Sequence, residues 1–225
     1  MDSKTVEPQY DLLQEVADKH GIATFGIMVN ESWAQDPKRT LFTLARYKFA
    51  AKMLDGFDKV VEIGCADAFG TRIVQQHVGH VTALDIDPIF IKDVEDRASE
   101  HWPLTPIIHD MLSGPIPGGF DAAYSLDVLE HIQPENEKAF MQNAVDSLSD
   151  TGVMLVGMPS LESQAHASPQ SKVGHVNCKS GADFKKFMQG YFDNCFLFSM
   201  NDEVVHTGFS PMAHYLFVLG CGPKR

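Results

Sequence analysis

Short apolar segments alternate with amphipathic ones along the middle of the chain. The apolar segments cover residues 60–63, 81–85, 104–109, 120–126 and 153–159. Runs of this length, bounded by turn residues, are typical of buried parallel strands. The stretches between them carry apolar residues at helical spacing, so the pattern predicts an α/β fold with five core strands.

The last third of the chain adds further predicted elements. Residues 183–190 are predicted as a short helix, and residues 195–200 and 212–219 as a pair of strands that complete the sheet. Residues 160–181 contain few apolar side chains and many Ser, His, Gln and Gly residues. Long connections in compact domains are usually functional or mobile, so we expect this one to act as a lid loop.

Two helices are predicted before the first strand. Apolar spacing indicates one helix over residues 6–20 and another over residues 36–56. Residues 21–29 between them are apolar and contain glycine, and we interpret them as a loop or a short extended segment.

The first core strand ends in a turn made of small residues. Val60 to Gly70 reads V-V-E-I-G-C-A-D-A-F-G, with Glu62 inside the strand. Small residues let a backbone approach a ligand closely, and a strand that enters a helix through such a turn is typical of nucleotide-binding sheets. The helix after this turn is predicted from about Asp67 to His77. The second strand ends at Asp85, 23 residues after Glu62. An acid that binds ribose is expected about 20 residues on, so Asp85 is the candidate for that role.

Three motifs together resemble those of class I S-adenosylmethionine-dependent methyltransferases: V-V-E-I-G-C-A-D-A-F-G, V-T-A-L-D-I-D-P and F-D-A-A-Y-S-L-D-V-L-E-H-I, in this order. The resemblance covers residues 59–159 and departs from the family's glycine-rich loop at Ala66 and Ala68. It implies a doubly wound, mostly parallel α/β sheet of seven strands with a reversed last strand. It also implies S-adenosylmethionine as the cofactor and S-adenosylhomocysteine as the product.

The resemblance implies roles for several residues at the strand ends. Asp85 is expected to accept from both ribose hydroxyls, Ile86 to lie against the adenine, and Asp110 with the backbone of Met111 to bind its edge. Arg46 is a candidate partner for the methionyl carboxylate, because a guanidinium binds carboxylates well; a surface role for Arg46 stays open. The full predicted cofactor set is Glu62, Gly64, Cys65, Ala66, Gly70, Asp85, Ile86, Asp110, Met111, Leu126, Asp127 and Arg46.

Two histidines are the candidate catalytic bases. His131 follows the fourth strand, and His175 lies in the polar lid loop, where it can reach an acceptor. An imidazole titrates near neutral pH, which suits it to remove a proton from the acceptor. A structural role for His131 remains an alternative, since an E-H pair at this position is frequent in the resembled family.

A metal site is a further alternative. Asp127, Glu130 and His131 have D-x-x-E-H spacing, and some methyltransferases of related architecture bind a divalent ion through E-x-x-E-H and a later histidine, here His175. Magnesium or manganese would suit such ligands and would acidify a hydroxyl. We expect no metal, and keep these four residues as the set that would hold one.

Composition limits the partners and the organisation. The chain of 225 residues has a net charge of −12, which disfavours nucleic acid and anionic membrane as partners and favours a small-molecule acceptor. No signal peptide or membrane-spanning segment is visible, and the four scattered cysteines suit a reducing, cytoplasmic setting. We divide the chain into an N-terminal helical extension or lid (1–55) and a main domain (56–225). A homodimer stays open.

Three functions agree with these patterns. The first is an S-adenosylmethionine-dependent methyltransferase that acts on an oxygen or nitrogen of a small polar metabolite, such as a sugar. The second is a non-catalytic nucleotide-binding or regulatory module on the same fold. The third, a dehydrogenase of the Rossmann type, is disfavoured by the spacing of the glycines in the first turn.

Overall fold

A single twisted sheet forms the centre of the computed structural model, which describes residues 5–225. Its eight strands are β1 (Lys59–Ile63), β2 (His80–Asp85), β3 (Thr105–Ile108), β4 (Phe120–Leu126), β5 (Leu148–Pro159), β6 (Phe192–Asn201), β7 (Val204–His206) and β8 (Tyr215–Pro223).

The strand order is β3-β2-β1-β4-β5-β8-β6-β7. Strands β1 to β5 pair in parallel, whereas β8 runs antiparallel to both of its neighbours, β5 and β6. The predicted fold class, a mostly parallel doubly wound sheet with a reversed last strand, is confirmed. The sheet has eight strands rather than seven because the three residues of β7 form a hairpin with the end of β6.

Helices cover both faces of the sheet and precede it. They are α1 (Asp11–His20), α2 (Ile27–Gln35), α3 (Lys38–Met53), α4 (Thr71–Gln75), α5 (Pro88–Asp96), α6 (Glu137–Asp146), α7 (Pro169–Gly174) and α8 (Gly181–Met188). None of the helices in residues 5–225 combines the length and the apolar character that a membrane crossing requires.

The prediction of a loop over residues 21–29 is wrong at its end, because α2 begins at Ile27. The free N–H groups of its first turn are bound by carboxylates distant in sequence. Val29 N donates to Asp67 at 2.8 Å, and Ile27 N donates to Asp93 at 3.3 Å. Such partners stabilise a helix start as a local cap does, but no local pattern shows them.

Helix α4 is also shorter than predicted. We expected it to start near Asp67, yet it begins at Thr71. Ala66 and Ala68 have φ angles of 46° and 50°. These left-handed conformations are incompatible with a right-handed helix, so the chain turns through four more residues before α4 starts.

Helix α3 packs directly on the sheet. Its Ala50, Ala51 and Leu54 are buried in the same apolar cluster as Val60 and Val81. Helix α3 therefore reaches the core. Residues 1–4 of the predicted extension lie outside the described residues, and the division at residue 55 stays a prediction.

The predicted lid loop contains local structure. Residues Glu162–His166 form a 3-10 turn, α7 follows, and Ser160 bridges to Lys179 across the base of the segment. The bridge closes the segment into a compact unit beside the exit of β4. Its function as a lid stays a prediction.

Candidate active site

A cavity of about 390 Å³ lies at the carboxyl ends of β1 and β4. Its walls come from α2, α3, the loop after β1, the turn after β4, and α7. Ligands of open α/β sheets bind outside these strand ends, so the position suits a binding site. A larger cavity of about 680 Å³, lined by Arg72 and Trp102, lies between α4 and α5.

The loop after β1 forms one wall of the cavity, which is lined there by Gly64, Cys65, Ala66 and Gly70. Gly64 has a φ of 78° and lies so close to Val128 that a Cβ at position 64 would collide with that side chain. Only glycine fits both the backbone conformation and the space. The loop is therefore held tightly against the turn that follows β4.

Asp85 connects this loop to the end of β2. Its carboxylate accepts from Ala66 N at 2.8 Å and from Asp87 N at 2.9 Å, one bond to each oxygen. A carboxylate oxygen accepts more than one hydrogen bond, so both oxygens retain capacity for a ligand. Ile86 beside it is 62% exposed and offers an apolar surface.

The residues predicted to bind adenine lie farther along the same edge of the sheet. Asp110 follows β3, and its carboxylate accepts from Leu112 N at 2.8 Å. The Met111 side chain is buried in the core, and its carbonyl oxygen accepts from Asn143 Nδ2 at 2.7 Å, which leaves its N–H for contact with a ligand. Neither residue lines the cavity, so a ligand that reached both would extend from the cavity across the tip of β2.

Glu62 lies behind the loop rather than in the cavity. Its buried carboxylate accepts from the Tyr47 hydroxyl at 2.7 Å, from the Tyr124 hydroxyl at 2.8 Å and from the Thr71 hydroxyl. Burial raises the pKa of Glu62 to about 7. Three protein donors occupy this carboxylate, and it joins α3, α4 and β4 to the base of the loop.

Arg46 and Asp127 meet across the cavity. Arg46 Nη1 donates to both carboxylate oxygens of Asp127, at 2.9 and 2.7 Å, and its guanidinium lies 3.9 Å from the centre of the Tyr215 ring. Asp127 has a φ of 59°, which directs its side chain back toward α3 from the end of β4. Leu126, the residue before it, also lines the cavity.

Glu130 is fully buried next to this pair, and neither of its carboxylate oxygens has a hydrogen-bond partner. Burial, reinforced by the charge of Asp127, raises the pKa of Glu130 well above its ordinary value. A buried carboxylate without partners is energetically costly and therefore indicates a functional site rather than a structural one.

The predicted bases lie beside Glu130. Ligand atoms of Glu130, His131 and His175 lie within 4.8 Å of one another, and the two imidazole centroids are 5.3 Å apart. Burial, together with the charge of the neighbouring His131, lowers the pKa of His175, which favours its neutral form. The structure thus brings together three of the four residues of the predicted metal set, and Asp127 is engaged with Arg46 instead.

Every buried side-chain polar atom that lacks a partner in residues 5–225 belongs to this region. The atoms are Thr40 Oγ1, Arg46 Nε, both carboxylate oxygens of Glu130, and the Tyr215 hydroxyl. Thr40 and Tyr215 were not predicted as site residues. Tyr215 lies within a strand and resembles an ordinary core aromatic, so no local signal in the sequence distinguishes it.

Comparison with known proteins agrees with this geometry. Residues 60–152 match the family model described as a methyltransferase domain. No curated protein sequence matches the chain.

Several solved structures share the fold at low sequence identity. The N-methyltransferase NodS from Bradyrhizobium japonicum WM9, in complex with S-adenosyl-L-homocysteine, is 16% identical, with a TM-score of 0.60 over 85% of this chain and 92% of that one. The DhpI–SAH complex is 16% identical, with a TM-score of 0.64 over 88% and 92%. Magnesium protoporphyrin IX methyltransferase (ChlM) from Synechocystis PCC 6803, with bound SAH, is 15% identical, with a TM-score of 0.57 over 95% and 94%.

Proposed function

We propose that this chain, which carries a methyltransferase domain on the class I fold, transfers the methyl group of S-adenosylmethionine to an oxygen or nitrogen of a small polar metabolite. The observation that supports this proposal best is the group of unpartnered buried polar atoms around one cavity at the tips of β1 and β4. Buried polar atoms are rarely left without partners, so this group indicates a cavity that takes a polar ligand.

The cofactor would lie along the strand ends. Asp85 would accept from the ribose hydroxyls, Ile86 and the Asp110–Met111 main chain would border the adenine, and the loop at 64–66 would carry the methionyl part. The unpartnered Nε of Arg46 is a donor available to the methionyl carboxylate. The sulfonium would then lie near Leu126, where the cavity opens to an acceptor.

The alternative of a non-catalytic module predicts that the segment 160–181 fills the acceptor space. Instead, that segment contributes Ser171 and His175 to the wall of an open cavity. A small molecule is the expected acceptor, since the net charge of −12 repels nucleic acid and anionic membrane. These features favour an enzyme with a small substrate; a cytoplasmic location and the oligomeric state stay predictions.

The metal-assisted alternative has one supporting observation. Glu130, His131 and His175 would hold a divalent ion, and both carboxylate oxygens of Glu130 are free to bind it. A bound ion would acidify a hydroxyl acceptor. Methyl transfer that persists after treatment with EDTA would exclude this alternative.

Calorimetry tests the cofactor assignment. We expect S-adenosylhomocysteine to bind the wild-type protein and the Asp85→Ala variant to bind it roughly 100-fold more weakly, because charge-assisted hydrogen bonds contribute about 1.5–3 kcal/mol each. Asp87→Ala is the matched control. Asp87 caps α5 through Ile89 N, so its loss costs stability of about 1 kcal/mol but no affinity. Tighter binding of NAD than of S-adenosylhomocysteine would contradict the proposal.

A further inference from the structure

With Glu130 ionised, the cluster of Glu130, His131 and His175 presents only acceptors. His131 Nδ1 contacts Gly174 O at 2.9 Å, and His175 Nδ1 contacts Gln164 Oε1 at 2.8 Å. A carbonyl oxygen only accepts, so each Nδ1 carries the hydrogen, and the Nε2 of a neutral ring keeps its lone pair.

The orientation of the Gln164 amide is fixed by its other contacts. Gln164 Nε2 donates to Ser160 O at 3.1 Å and to Ser163 Oγ at 3.3 Å, which leaves Oε1 for His175. The partner of His131 is the main-chain carbonyl of Gly174, whose oxygen is identified without ambiguity. Both neutral imidazoles therefore present Nε2 as an acceptor. A ligand group that binds to them must be a hydrogen-bond donor or a cation.

Charge points to a cation. Arg46 and Asp127 pair with each other, so their charges cancel within the site. Glu130 is the carboxylate left without a counter-charge, and no hydrogen bond joins it to either ring. A positive ligand group would remove the cost of burying this carboxylate.

The spacing of the cluster fits an ammonium. Three acceptors that each bond a tetrahedral nitrogen at about 2.8 Å lie about 4.6 Å apart. Three ligands of a magnesium ion at about 2.1 Å lie only about 3 Å apart. All ligand atoms of the cluster lie within 4.8 Å of one another, a limit that includes the spacing around an ammonium, and competition with MnCl2 distinguishes the ammonium from a metal ion.

Resting on the proposed methyl transfer, we propose that the acceptor is an amine, which binds as its ammonium to Glu130, His131 and His175 and gives one proton to Glu130. An N–H bond of the ammonium breaks and an O–H bond forms on Glu130. The nitrogen lone pair then attacks the cofactor's methyl carbon, and the C–S bond breaks with its electron pair going to sulfur. The products are a methylated ammonium and S-adenosylhomocysteine.

Glu130 suits this step because neither of its buried carboxylate oxygens has a hydrogen-bond partner in the protein, so either oxygen can receive the proton. The N-methylated product leaves as a cation, and the proton on Glu130 returns to solvent. Glu130 is thereby a catalytic residue, and Gln164 is a positioning residue that acts through His175.

A paired binding experiment tests the proposal on protein saturated with S-adenosylhomocysteine. Ethylammonium chloride and ethanol are titrated by calorimetry and by thermal shift at constant ionic strength. We expect the ammonium to bind at least tenfold more tightly than the alcohol. The preference should disappear in Glu130→Gln and persist in Glu135→Gln, a matched control at an exposed position of the same connection between β4 and α6.

Three results would overturn the inference: equal binding of the two probes, a preference that survives Glu130→Gln, or MnCl2 that binds in the micromolar range and displaces the ammonium. With labelled cofactor and ethanolamine, the expected product is N-methylated, and an O-methylated product would also contradict it. Saturation with S-adenosylhomocysteine is measured first. Its failure overturns the proposed function and this inference together, whereas its success followed by no amine preference overturns this inference alone.

Discussion

Two buried glutamates, one under the loop after β1 and one after β4, lie in opposite surroundings. Glu62 accepts from three hydroxyls, those of Tyr47, Thr71 and Tyr124, whereas neither oxygen of Glu130 has a partner. Burial raises the pKa of both carboxyls. The hydrogen-bond partners, and not burial or pKa, therefore distinguish a carboxylate that holds the fold together from one that awaits a ligand.

We expect the largest difference in the free energy of unfolding when each glutamate is replaced by methionine, which is apolar and of similar volume. Glu62→Met leaves three buried hydroxyls without an acceptor, so we expect a loss of about 3 kcal/mol or more in the free energy of unfolding. Glu130→Met removes a buried group that has no partner and should leave stability unchanged or raise it by about 1 kcal/mol. Urea unfolding of both variants at pH 7 measures this. Equal losses would abolish the distinction.

The pH dependence of stability sharpens the same comparison. The pKa of Glu62 is about 7 in the folded protein, above its ordinary value of 4.5, so the folded state binds this proton more tightly than the unfolded chain does. Its contribution is complete below about pH 4.5 and is lost as the pH rises to about 7, a change of about 3 kcal/mol at about 1.4 kcal/mol per pH unit.

Glu130 also has a raised pKa, so it changes stability with pH in the same direction as Glu62. The contribution of Glu62 is therefore measured as the difference between the wild type and the Glu62→Met variant. Urea unfolding at several pH values between 4.5 and 8 should show a steeper fall in the wild type than in that variant. Parallel curves for the two proteins would show that the three hydroxyls keep Glu62 ionised across this range.

The smallest expected effects on stability concern the hydroxyls of two tyrosines. Tyr47→Phe removes a donor that bonds Glu62 at 2.7 Å and should cost about 1 kcal/mol. Tyr215→Phe removes a buried hydroxyl without a partner and should cost nothing. Thermal unfolding in the absence of ligand compares them. A larger loss for Tyr215→Phe would show that its hydroxyl has a partner, such as an ordered water.

The sequence allowed prediction where a signal was local. The run of small residues at 64–70 and Asp85 at the end of a strand were readable because turn and strand patterns span few residues. The start of α2 was missed, since its first turn is bound by Asp67 and Asp93 from other parts of the chain. The start of α4 was placed too early, because the left-handed backbone at Ala66 and Ala68 has no reliable sequence signal.

The site itself was predicted in part. His131, His175 and Arg46 were named, and the structure places all three around one cavity. The pairing of Arg46 with Asp127 joins residues 81 positions apart, and periodicity carries no information at that distance. Glu130 was considered only as a metal ligand. Its lack of partners is a property of packing and appears only in three dimensions.

Because Gly64 has no Cβ, the loop after β1 can lie directly against the turn after β4. Val128 occupies the volume that a side chain would need there, and it directly precedes the turn that carries Glu130 and His131. Any larger residue would act as a spacer and lift one loop away from the other. The distance over which the methyl group is transferred thus depends on the spacing of these two loops. A residue without a side chain sets that spacing.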